Sequence, residues 1–145
     1  MLDIACIMCY NIKKLKGEIM KGWLIVNGFI GSHKFREIYG YLSRAAARLE
    51  ITLEIKASDT FIAPVGEKLL LYDKPDFILF WDKDVHLARR LEGEGVRLFN
   101  SSRAIEICDS KILTAAAISG RVSTPKTVLS AKTFEGVGYC DLEFV

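Results

Sequence analysis

Asp76-Phe-Ile-Leu-Phe-Trp81 runs straight into Asp82-Lys-Asp84. An unbroken apolar run of this length, bounded by acids, reads as a strand buried on both faces. Such strands belong to parallel sheets, whose crossover helices cover both sides. Downstream, Val85 to Glu94 reads as a short helix ending at Gly95, where glycine can take the left-handed cap. Arg97-Leu-Phe99 is short and apolar at its end, and reads as the next strand. Ser101 and Ser102 are placed to cap a short helix over Ala104–Cys108, and a second helix spans Ser110–Ile118 and stops at Gly120. Pro125 and Thr127-Val-Leu129 read as a turn into one more strand.

Upstream, Gly22-Trp-Leu-Ile-Val-Asn-Gly28 is another apolar run closed by turn residues, a buried strand. Ser32 is a candidate N-cap for the segment after it. From Phe35 to Leu49, apolar residues recur at three and four, the stripe of a helix lying on a sheet. Thr52-Leu-Glu-Ile-Lys-Ala57 alternates and reads as a strand. Asp59 to Asp73 reads as a loop with a short strand in Lys68-Leu-Leu-Leu-Tyr72. Strands alternating with helices make an α/β fold: a small parallel sheet with helices on both faces.

The 145 residues suit one ordinary domain with a real core. Half are hydrophobic, and 20 basic against 18 acidic residues leave a net charge of +2. That balance gives no basis for a nucleic-acid or membrane partner. Cys6 and Cys9 form a C-x-x-C, but no second pair accompanies it, and His33 and His86 stand apart. A structural zinc usually takes four ligands, so no metal is expected and the four cysteines read as free thiols in a reducing cytoplasm. The apolar segment Leu2–Tyr10 is far short of the ~20 residues of a membrane span. Its lysines (Lys13, Lys14, Lys16) follow the apolar run, whereas a signal peptide has them in front. Residues 1–19 therefore read as an upstream extension or a disordered tail, with Met20 directly before the first strand.

In open α/β sheets, ligands sit at the carboxyl ends of the strands. Those ends carry Asn27-Gly28-Phe29, Trp81-Asp82-Lys83-Asp84 and Asn100-Ser101-Ser102. Asn27, Asp82 and Asn100 are the candidate substrate-binding residues; ordinary turns and caps are the competing explanation. Asp82 as a receiver-type phosphoacceptor would need an acidic pair after the first strand, where Asn27 and Gly28 stand. His86 could serve as a base, but its place in a first helical turn fits a solvated surface group better. Trp23 and Trp81 read as core. There is no Walker loop, no G-x-G-x-x-G and no nucleophile elbow.

Phe99-Asn-Ser-Ser-Arg-Ala-Ile-Glu-Ile-Cys-Asp-Ser-Lys-Ile-Leu-Thr114, with Gly120 and Thr124-Pro-Lys-Thr127, resembles the entry into the nucleotide-binding domain of RimK-like ATP-grasp carboxylate–amine ligases. In that family a strand yields N-S, a short helix follows, D-K-x-x-T opens a second helix, and x-P-K-T comes next. Trp23–Phe29 and Phe77–Asp84 are similar to the family's preceding domain. The likeness spans about Met20–Leu129, with residues 99–127 the most specific part.

The resemblance implies a small Rossmann-like (pre-ATP-grasp) domain over residues 20–100, then linker helices and the start of a truncated ATP-grasp domain over 101–145. It implies ATP and Mg2+ as cofactors of the intact enzyme, with neither held tightly by this segment. It implies an acylphosphate made from a carboxylate and attacked by an amine, those two small molecules being the partners. A second copy of the chain or a missing C-terminal domain would be the protein partner. Lys111 matches the family's nucleotide-contacting lysine, although Ser110 stands where an acid usually precedes it and Asp109 lies one place earlier. The family's further nucleotide lysine, glycine-rich lid and acidic metal ligands would fall beyond Val145, so the segment alone is expected to be inactive. Two readings of other classes compete: a free-standing small-ligand or nucleotide-binding module, and an interaction domain docking through Val128–Val145.

Overall fold

A computed structural model describes residue 17 and residues 19–125. The strands are β1 (Met20–Val26), β2 (Ile51–Ala57), β3 (Phe77–Trp81) and β4 (Arg97–Phe99). The helices are α1 (His33–Ala47), α2 (Val85–Gly93), α3 (Ser102–Asp109) and α4 (Lys111–Ile118). The four strands form one parallel sheet in the order β2-β1-β3-β4. The fold is therefore the α/β parallel-sheet architecture that the apolar runs require.

Residue alternation along β1 and β3 splits the core in two. Trp23, Ile25, Ile78 and Phe80 point to one face, where they pack with Leu87, Ala88 and Leu91 of α2 and with Ile105 of α3. Leu24 and Val26 point to the other, against Tyr39 and the flanking Phe35, Ile38 and Leu42 of α1. Helices thus cover both faces. Phe80, Leu24, Ile25, Ile78 and Leu91 are fully enclosed. Each such side chain contributes about 1.5–3 kcal/mol through removal from water.

The helix ends follow the expected chemistry. Ser32 accepts a hydrogen bond from the Phe35 amide, and Asp84 accepts one from Leu87. Gly95 takes φ +71° after α2, as the left-handed cap demands. Ser101 caps α3 through the Ala104 amide, and Ser110 caps α4 through Leu113.

Two sequence expectations are corrected. No strand forms over Lys68–Tyr72; a 3₁₀ turn at Ser58–Thr60 leads into irregular chain that continues to β3. Side chains from the α2 side take the backbone groups that a ladder would have used. The Arg90 guanidinium donates to the carbonyls of Ala63, Pro64 and Glu67, and the Leu69 amide donates to Glu94. Ser102, expected as a cap, lies inside the first turn of α3 and is buried. Its amide and hydroxyl donate to the two carboxylate oxygens of Glu92 at 3.0 and 2.6 Å, clamping α3 to α2.

The tail assigned to residues 1–19 (except 17 and 19), the Cys6–Cys9 pair, the strand at Thr127–Leu129 and the Val128–Val145 surface lie outside the described residues.

Candidate functional site

β1 leads to β2 on one side of the sheet and β3 leads to β4 on the other, so the chain reverses direction between β1 and β3. Ligand crevices of open α/β sheets form at this switch point, beyond the carboxyl ends of the strands. A cleft of about 370 Å³ lies there. Asn27 from the end of β1, Asp82 from the end of β3 and Asn100 from the end of β4 all line it. The three residues picked from the sequence therefore converge on one cavity.

Their amide orientations follow from their partners. The Asn27 Oδ1 accepts from the Phe29 amide at 2.9 Å, which leaves Nδ2 to donate to Asp82 Oδ1 at 3.2 Å. The same Asp82 oxygen accepts from the Lys83 amide at 2.6 Å. Asn100 Nδ2 donates to the Phe80 carbonyl at 3.0 Å, tying the end of β4 to β3. Asn100 sits at φ +62°, a left-handed conformation that asparagine tolerates better than most residues. Gly28, beside Asn27, leaves no room for a side chain: a Cβ there would come within 2.2 Å of Asp59 Oδ1. The β1–α1 turn therefore lies hard against the turn after β2.

The apolar wall was not legible as a site. Phe35 and Tyr39, one turn apart on α1, stack with centroids 6.1 Å apart. Tyr39 meets Trp81 edge-on at 6.4 Å. Trp81, expected in the core, is 43% exposed and lines the cleft, whereas Trp23 is 4% exposed and does belong to the core. The last residue of a strand lies past the covering helices, so its apolar character does not oblige it to be buried. Burial raises the pKa of the Tyr39 phenol, and the nearby negative charge of Asp82 raises it further.

Lys83 is the one cation lining the cleft among the described residues, and its ammonium pairs with Asp109 at the end of α3. Lys83 and Asn100 also line a smaller groove of about 300 Å³ with Ile105, Cys108 and Asp109, extending the cleft toward the α3–α4 joint. Lys111 is exposed in the first turn of α4, beyond that joint, and does not line the cleft. His86 is exposed on α2, as its position suggested. No group of three or more His, Cys, Asp or Glu side chains among the described residues could hold a metal ion.

A larger hollow of about 680 Å³ lies under the irregular chain between β2 and β3, lined by Trp23, Lys56, Phe61, Leu69 and Leu71, among others. The Lys56 ammonium stands 5.4 Å from the centre of the Trp23 ring, and Glu54 pairs with both Lys56 and Lys21 at 3.1 Å. Those bonds, Lys56 first, hold the Glu54 carboxyl below its usual range. Lys56 of the hollow is thus paired, and among the described residues no set of polar strand ends faces into it.

Fold and site together define a small parallel α/β domain with an aromatic-walled cleft at its switch point. Compared with protein-family models and with curated protein sequences, the chain matches none. Among the described residues, no helix is long and apolar enough to cross a membrane.

Proposed function

We propose that this domain is the N-terminal, pre-ATP-grasp part of a RimK-like carboxylate–amine ligase, and that its strand-end cleft is one wall of the active site. The observation that carries the substrate-binding role is the convergence of Asn27, Asp82 and Asn100 on one aromatic-walled cavity at the switch point. Its volume lies within the ~300–1,000 Å³ of small-molecule sites. The ligase reading is supported by the order of elements after β4: two consecutive helices, the second opened by Ser110 and Lys111.

In this reading, Lys111 contacts nucleotide phosphates held mainly by protein beyond Val145. A lysine ammonium near a helix N-terminus favours an anion there. ATP and Mg2+ would supply phosphoryl activation of the carboxylate. The residues of this domain orient a substrate and shield it from water. The intact ligase would act in the cytoplasm, where the thiol of Cys108 stays reduced.

The test is to read the coding sequence past Val145 and to express the longer product. A glycine-rich lid, acidic metal ligands and ADP release that depends on both a carboxylate and an amine are expected. ATP-dependent amide formation by the 145-residue chain alone would refute the division of labour. A stand-alone binding module is the second reading, favoured because the three polar strand ends and the aromatic wall of the cleft all come from residues 27–100. Sub-micromolar binding of ATP or an amino acid to this chain in calorimetry would select it.

A further inference from the structure

Hydrogen-bond accounting in the cleft leaves two side-chain oxygens, one on Asp82 and one on Asn100, without a donor among the described residues. Both polar ends of the Asn27 side chain are used, one by Phe29 and one by Asp82. Asp82 receives both of its donors on Oδ1; Oδ2 has no partner among the described residues. Asn100 spends its amide nitrogen on the Phe80 carbonyl, and its Oδ1 is likewise without a partner among the described residues. Lys83, the lining cation, is paired with Asp109 and leaves the charge of Asp82 without a counter-ion.

Unmet acceptors around an uncompensated carboxylate attract a cationic donor and repel an anion. An ammonium brings three donors and no acceptor. Phe35, Tyr39 and Trp81 line the same cleft and can cover an apolar carbon framework. We infer that the cleft takes the amine substrate, not the carboxylate: the ammonium is held by Asp82 Oδ2 and Asn100 Oδ1, and its apolar body lies against Phe35, Tyr39 and Trp81. This rests on the reading of the cleft as a substrate site. It assigns to this domain the amine half of the reaction, so the carboxylate must be held elsewhere, nearer the phosphoryl donor.

The test uses the 145-residue chain and three probes of one shape: benzylammonium, benzyl alcohol and benzoate, each titrated by amide chemical-shift changes. Benzylammonium is expected to shift Asn27, Tyr39, Trp81, Asp82 and Asn100, and to bind about tenfold or more tighter than benzoate, the scale of one charge-assisted hydrogen bond. Asp82→Asn, nearly the same shape, should cost benzylammonium a similar factor and leave benzyl alcohol unchanged. Should that variant misfold, the charge preference of the unsubstituted chain still decides. Benzoate binding as tightly as benzylammonium at the same residues would overturn the amine assignment and leave the cleft a substrate site. No probe shifting these residues would overturn the substrate site itself, and the assignment with it.

Discussion

The two cavities differ in what faces them. The hollow beside Trp23 is nearly twice as large, yet its Lys56 is paired with Glu54 and its roof is irregular chain. The cleft beside Trp81 is smaller, but three strand ends bring polar groups into it with bonding capacity to spare. Volume alone does not make a site; convergent, incompletely satisfied polar groups on rigid elements do. Helix α2 serves both regions. Its Arg90 anchors the chain that roofs the hollow, and its Glu92 anchors α3, which borders the groove continuing from the cleft.

Phe80 lines the cleft and is buried in the same core cluster as Trp23 and Leu69, which line the hollow. Phe80→Ala should cost about 3–5 kcal/mol, read as a lower midpoint in urea, and should disturb amide resonances in both regions. Removing one anchor at a time separates them. Glu92→Ala leaves the buried Ser102 hydroxyl and amide without acceptors, at a cost of about 1–3 kcal/mol. Hydrogen exchange in α3 should quicken, while residues 61–69 stay as they were. Arg90→Met releases three carbonyls that can then reach water, and should cost only about 1 kcal/mol. Exchange should quicken over 61–69 and not in the cleft. Equal effects in both regions from either single change would mean that they are not separately anchored.

Tyr39 tests the cleft alone. Its phenol titrates above the ordinary tyrosine value because it is buried and because Asp82 lies near. A group whose folded-state pKa is raised adds stability that is fully present below its unfolded pKa, about 10 for tyrosine, and lost as pH rises through the folded value. Tyr39→Phe should therefore remove part of the alkaline fall in stability. Asp82→Asn should lower the Tyr39 pKa toward, but not to, the ordinary value, since burial remains; carbon shifts of the labelled ring would report it. The smallest effect belongs to the exposed Lys83–Asp109 pair: Lys83→Ala should change stability by less than about 1 kcal/mol. Benzylammonium binding should hold or tighten, because the cation lining the cleft is gone.

Most of the framework was legible because the signals are local. Apolar runs at Gly22–Gly28 and Asp76–Trp81 marked the strands that form over Met20–Val26 and Phe77–Trp81, the three-and-four stripe marked α1, and Gly95 marked the end of α2. Asn27, Asp82 and Asn100 could be picked because strand ends in a parallel sheet share one edge. The chain at 68–72 was misread as a strand because its apolar residues look like one, and nothing nearby shows that Arg90 and Glu94 will take its backbone groups. Trp81 was misread because an apolar residue at a strand's end is buried only if a helix reaches over it.

Taken by itself, the order of residues determined which segments become strands and helices, and that the sheet is parallel, since propensity, periodicity and capping act over a few residues. Only the tertiary structure decided that β1 and β3 are neighbours with the chain reversing between them, which aromatic rings wall the cleft, and which oxygens in it are left without a donor. Those depend on side chains tens of positions apart meeting in space, as Asn27 meets Asp82 and Asn100 meets Phe80. No local pattern along the chain encodes which partner each one finds.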